Sequence, residues 1–151
     1  MPRLERIWLK RARLGPMDPV MEATLVAGSG LDRNANRGGR RQVTILSAER
    51  WREMMHELGR DLDPSIRRAN LRVSGLDLAD SRDRILRVGG CHLRVNGETR
   101  PCERMEEAAP GLRAIMAERW GGGIYAEALD DGIIQVGDAV AWEGEAARSW
   151  S

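Results

Sequence analysis

The sequence predicts a mainly β, α+β domain shaped as a small barrel with two to three short helices. Three observations carry that expectation. Nine short apolar or β-branched segments run along the chain, turn dipeptides separate them, and only two longer stretches repeat their apolar residues at helical spacing. Many short strands at close spacing favour a closed or partly closed barrel, because closure removes exposed edges.

In chain order, strands are expected over 6–11 and 20–26, with Gly15-Pro16 turning the chain between them. Gly28-Ser29-Gly30 and Gly38-Gly39 break the path before a strand at 42–46. Ser47 then caps a helix, Glu49 lies near its positive end, Trp51, Met54, Met55 and Leu58 share one face, and Gly59 ends it. A short helical turn is predicted from Asp61 to Ile66, followed by strands at 71–74, 84–88 and 91–95, the last two joined by Gly89-Gly90. Val95-Asn96-Gly97-Glu98 reads as a hairpin turn, since Asn-Gly supplies the positive φ angles of type I′. Residues 103–109 read as a helical turn, and a further helix runs from Pro110 or Gly111 to about Arg119, with Leu112, Ile115 and Met116 on one face. Strands at 124–129, 133–136 and 138–142 complete a single domain over 1–142, and 143–151 is expected to be a flexible tail.

A chain of 151 residues has the length of one domain, and 42% hydrophobic with 31% charged residues is ordinary for a folded protein. A net charge of +1 argues against a protein that blankets a polyanion, so no nucleic-acid partner is expected. No apolar run is long enough to span a bilayer, and Met1-Pro2-Arg3-Leu4-Glu5-Arg6 lacks the apolar core of a signal peptide, which makes a cytoplasmic location the expectation. Lys10 is the single lysine among 24 basic residues. With two cysteines, two histidines and no Cys-x-x-Cys spacing, neither zinc nor an iron-sulfur cluster is expected.

Three constellations are candidates for chemistry. Cys102 lies between Arg100 and Arg104 and just ahead of a helical turn, where neighbouring guanidinium groups favour the thiolate that serves as nucleophile or soft ligand. A small buried hydrophobe at an element end is the competing reading. Arg33, Arg37, Arg40 and Arg41 lie in a loop rich in Gly and Asn ahead of Gln42, where backbone N–H groups and guanidinium forks can hold a phosphate. Arg67, Arg68 and Asn70 precede a strand, and Asn70 offers a donor and an acceptor suited to the edge of a heterocycle. On the strand at 91–95, alternation places Cys91 in the core and His92 toward solvent or an opening.

In their order along the chain, Gly38-Gly39-Arg40-Arg41-Gln42-Val43-Thr44-Ile45-Leu46-Ser47-Ala48-Glu49, Arg67-Arg68-Ala69-Asn70-Leu71-Arg72-Val73-Ser74-Gly75, Arg100-Pro101-Cys102 and Gly137-Asp138-Ala139-Val140 resemble a MOSC domain, the family named for the C-terminal part of molybdenum-cofactor sulfurase. The resemblance implies a β-rich barrel and a small stand-alone member. It also implies a molybdenum-pterin cofactor, with Cys102 as metal ligand and catalytic residue, and Arg33, Arg40, Arg41, Gln42, Arg67, Arg68, Asn70, Arg100 and Arg104 around the cofactor; pyridoxal phosphate binding belongs to the same range of implied properties. Such a protein reduces N-hydroxylated compounds with a separate electron donor. One alternative is a sulfur carrier holding a Cys102 persulfide supplied by a cysteine desulfurase. The other is a non-enzymatic ligand-binding barrel, motivated by Asp32-Arg33-Asn34-Ala35-Asn36 standing where many relatives carry Gly-Asp-Arg.

Overall fold

A computed structural model describes residues 1–144, so most of the expected tail, 145–151, lies outside the described residues. In order the chain forms β1 (Arg3–Lys10), β2 (Met17–Val20), β3 (Glu22–Val26), β4 (Gly30–Leu31), β5 (Val43–Ser47), α1 (Ala48–Leu58), a 3-10 turn (Pro64–Arg67), β6 (Leu71–Ser74), β7 (Ile85–Val88), β8 (Cys91–Glu98), α2 (Glu103–Ala108), α3 (Leu112–Met116), β9 (Ile124–Ala128), β10 (Gly132–Gln135) and β11 (Val140–Trp142). Among the described residues no helix is long and apolar enough to cross a membrane.

Eight strands form one mixed sheet in the order β11-β7-β8-β9-β5-β6-β1-β2, and a smaller sheet holds β10-β3-β4. The large sheet curls without closing through a continuous ladder. The start of β1, one strand in from the β2 end, meets the segment just before β11 at an Arg3 to Ala139 bridge, backed by Leu4 N–H to Asp138 O at 2.8 Å. The fold is therefore the partly closed form of the expected barrel. Pairing is antiparallel except between β5 and β6, which run parallel because α1 and the 3-10 turn carry the chain back across the sheet.

Alternation on the strands fills the main core: Leu4, Ile45, Leu71, Val73, Leu86, Val88, Leu93, Val95 and Ile124 are all buried. A second, smaller core forms where α1, α2 and α3 pack, built from Leu46, Trp51, Met54, Met105, Leu112 and Met116. Helix α1 begins as the sequence predicts, with the Ser47 hydroxyl accepting from Arg50 N–H at 3.1 Å, and it ends at Gly59 with φ of 73°.

Two expectations are corrected. The single strand at 20–26 is split at Met21: β2 pairs with β1, whereas β3 leaves for the small sheet beside β10. The second correction is at Asn96-Gly97, where no hairpin forms. Strand β8 runs on to Glu98 beside β9, and neither residue has the positive φ of a type I′ turn. The register shifts between Val95 and Gly97, so the dipeptide forms a bulge. Asn96 is buried and donates from Nδ2 to Arg40 O at 2.7 Å. A Cβ at Gly97 would stand 2.7 Å from the Tyr125 hydroxyl, so the glycine is kept for close approach.

Candidate functional site

An open cavity of about 390 Å3 lies where the end of β1, the start of β5, the start of β6, the segment after β8 and the first turn of α2 come together. Among the described residues its wall contains six cationic side chains, Lys10, Arg13, Arg41, Arg67, Arg68 and Arg104, and no carboxylate. Cys102 also lines it, as the exposed residue that precedes α2. Met105, Ala69 and Leu14 supply the apolar part of the wall.

Arg67 is the deepest of these cations, at 8% exposure. It closes the 3-10 turn, and its guanidinium donates from Nε to Gly122 O at 3.1 Å and from Nη2 to Thr99 O at 3.4 Å. Gly122 permits that geometry, since a Cβ there would stand 2.1 Å from the Thr99 carbonyl oxygen. Among the described residues Arg67 has no ion pair. Burial, and then the neighbouring Arg41 charge, push its pKa down to about 10, with the Cys102 sulfur pulling the other way. It remains charged at neutral pH. Thr99 lines the same cavity at 2% exposure, and its buried hydroxyl has no hydrogen-bond partner among the described residues.

Asn70 holds the scaffold behind this wall. Its Oδ1 accepts from Thr44 N–H at 3.1 Å and from the Thr44 hydroxyl at 3.2 Å. Its Nδ2 donates to Trp8 O at 3.1 Å and to Asn34 Oδ1 at 3.0 Å. The amide is saturated, and its work is to bracket β1, β5, β6 and the loop after β4. Gln42 is partly engaged, with Nε2 donating to Gly39 O and Oε1 accepting from Ala128 N–H. Both residues line the cavity, and of the two Asn70 has no amide group left to read a heterocycle edge.

Of the residues singled out in the sequence, Cys102, Arg41, Gln42, Arg67, Arg68, Asn70 and Arg104 meet at the cavity. Arg33, Arg40 and Arg100 do not line it. Arg33 is exposed with φ of 70°, Arg40 is exposed while its carbonyl is used by Asn96, and Arg100 pairs with Glu98 at 3.6 Å. Lys10, Arg13, Asn36, Thr44 and Thr99 were not singled out for a site. Only Lys10 carried a signal, as the lone amine in an arginine-rich chain. His92 is remote from the cavity wall; its Nδ1 donates to Asp130 Oδ2 at 2.8 Å.

The model of the MOSC domain matches residues 32–141 of this chain. The fold is similar to that of YuaD from Bacillus subtilis, with 21% identity over 93% of this chain and 94% of that one and a TM-score of 0.76. It is also similar to YiiM from Geobacillus stearothermophilus, with 16% identity over 94% of this chain and 75% of that one and a TM-score of 0.75. YiiM from Escherichia coli gives 16% identity, 93% and 69% coverage and a TM-score of 0.70. No curated protein matches the sequence. Residues 32–141 include β5, β6, α2 and all but the first edge of the cavity, and on that match the chain belongs to the MOSC domain family.

Proposed function

We propose that the cavity binds a molybdenum-pterin cofactor through Cys102 and its surrounding cations, and that the loaded protein reduces N-hydroxylated compounds with electrons from a separate donor. The carrying observation is a single wall that combines an exposed thiol with six cations and no carboxylate. The volume of about 390 Å3 is within the about 300–1,000 Å3 usual for ligand sites.

The residues present fit the group. Arg41, Arg67, Arg68 and Arg104 offer guanidinium donors that suit a pterin phosphate, and the Cys102 sulfur is a soft ligand suited to molybdenum. Arg67 lacks a carboxylate among the described residues, and the buried Thr99 hydroxyl lacks a partner, so the protein itself leaves polar capacity unused here. When bound, the cofactor would supply two-electron redox chemistry. The chain's own part is to hold the anion, orient the sulfur and keep acidic groups out of the cavity.

Molybdenum per chain after expression in a host competent in cofactor synthesis tests the assignment. The wild type is expected to retain metal and Cys102→Ser to lose most of it; equal contents would remove Cys102 as the ligand. The exposure of Cys102 favours a second reading, sulfur carriage, because a desulfurase must reach the thiol. That reading expects one added sulfur on the peptide holding Cys102 after incubation with a cysteine desulfurase and cysteine, and an unmodified peptide counts against it.

A further inference from the structure

We propose that Lys10 is the proton donor of this cavity, its ammonium protonating the oxygen that leaves when an N–O bond is reductively cleaved there. The inference rests on the reductase reading above and deepens it. Converting R–NH–OH to R–NH2 and water consumes two electrons and two protons. The N–O bond breaks, the electrons come from a reduced flavoprotein or similar protein reductant, one proton goes to the departing hydroxyl and one to nitrogen. Water supplies the second proton and recharges the amine.

Elimination within the wall points to Lys10. Arginine as a residue type holds its proton far too tightly to act as an acid. Arg67, though its pKa is brought down to about 10, is buried with its guanidinium donating to Gly122 O and Thr99 O. The amide and hydroxyl side chains do not ionise near neutrality. Among the described residues no His, Asp, Glu or Tyr lines the cavity. Cys102 is assigned to the metal or to sulfur. One ammonium remains.

Composition adds an independent observation. This chain meets its need for positive charge with arginine at 23 of 24 positions, and the one amine it contains lies in this wall. What distinguishes lysine from arginine is a proton that can leave. The ammonium donates to Asn36 Oδ1 at 2.7 Å and has no carboxylate partner among the described residues, which leaves donor capacity facing the cavity. The loop that carries Asn36 also fixes the Lys10 backbone: Lys10 N–H donates to Asn34 Oδ1 at 2.8 Å, and Asn34 Nδ2 donates to Asn36 O at 2.9 Å. Electrostatics act in the required direction. Burial first, then the charges of Arg68, Arg41, Arg104 and Arg67, lower the Lys10 pKa, so its proton leaves more readily than that of an ordinary lysine.

Because the chain has a single ε-amine, reductive methylation with 13C-formaldehyde labels only Lys10 and the N-terminus, and Lys10 can be titrated by NMR without cofactor. A midpoint below that of an exposed lysine, which rises on addition of inorganic phosphate, is expected; an ordinary midpoint indifferent to phosphate overturns the proposal. In the molybdenum-loaded protein, Lys10→Arg keeps the charge and withholds the proton. Its kcat for a hydroxylamine substrate should fall about 100-fold or more, with KM and metal content within about twofold of wild type. The basic limb of the wild-type pH profile should follow the Lys10 midpoint. Turnover by Lys10→Arg at the wild-type rate overturns the role of Lys10 alone. A loaded wild type that turns over no N-hydroxylated substrate overturns the reductase reading and this inference together, and the two failures are thereby distinguished.

Discussion

Cys91 and Cys102 stand eleven residues apart and occupy opposite environments. Cys91 opens β8, pairs with Val88 and is 2% exposed in the main core. Burial pushes its thiol up, and Asp130, Asp138 and Asp131 push it further in the same direction. Gly132 packs so closely that a Cβ there would stand 2.5 Å from the Cys91 sulfur. Cys102 is exposed ahead of α2 and shares its cavity with six cations. One sulfur is a piece of packing among carboxylates, and the other is an accessible group among guanidinium ions. Residue type is the same in both, so what separates the two sulfurs is the charge and the access that the fold supplies.

The largest expected effect tests that contrast directly. Under native conditions a water-soluble disulfide reagent should modify one thiol rapidly, and peptide mapping should place it on Cys102. Cys91 should react about a thousandfold more slowly or less, because reaching a core strand needs an opening that costs several kcal/mol. Cys102→Ser should leave only the slow thiol. Comparable rates for the two thiols would break the contrast.

A second experiment sharpens the cavity side by separating its frame from its lining. Asn70→Ala removes four hydrogen bonds at once and strands Trp8 O and the Thr44 N–H without the partner that Asn70 supplied, while Asn34 Oδ1 keeps its bond from Lys10 N–H. Urea unfolding should show a loss of about 3 kcal/mol, the cost of several buried groups left unpaired. Arg68→Ala, at a half-buried cation whose side chain donates to Arg13 O at 3.3 Å, should stay within about 0.5 kcal/mol of wild type. Equal losses in the two variants would mean that Asn70 is not the bracket.

Much of this molecule was legible in its sequence, and the misses share a cause. Strand positions, the α1 caps at Ser47 and Gly59, and the start of α2 after Cys102 follow from local patterning, which the chain obeys wherever one short segment decides the outcome. Asn96-Gly97 was misread because a local turn signal gave way to tertiary demand. Strand β9 continues alongside, Tyr125 needs the space a side chain would take, and Asn96 serves Arg40 as a buried donor. The cavity divides in the same way. Proximity to Cys102 along the chain marked Arg100 and Arg104 equally, yet Arg100 turns to Glu98 and only Arg104 reaches the wall. Lys10, at the end of β1, is distant in sequence from Cys102 and only the pairing of β1 with β6 brings it in, whereas Thr99, just past β8, lines the wall where Gly122 approaches it. Asn70 reads from the sequence as polar capacity at a strand mouth, but the sequence could not show that its partners would come from the protein itself.

The smallest expected effect lies on the Cys91 side and concerns pH. Asp130 accepts from the His92 ring at 2.8 Å and from the His92 backbone N–H at 2.9 Å, and these two bonds lower its pKa below the ordinary 3.8. A carboxyl lowered in the folded state binds protons more readily when unfolded, so stability rises with pH across the interval between the two values. The contribution is complete above the unfolded value and is lost as pH falls through the folded one. Both side chains are about a third exposed, at 35% and 38%, and solvent screening keeps the contribution to a few tenths of a kcal/mol. The difference in urea midpoint between wild type and Asp130→Asn should therefore narrow as pH is lowered from about 6 to about 3. The slow labelling of Cys91 should stay slow in this variant, since burial is the first cause of its raised thiol and Asp130 only the second. Faster labelling of Cys91 with unchanged stability would show that carboxylate charge, and not packing, keeps that sulfur inert.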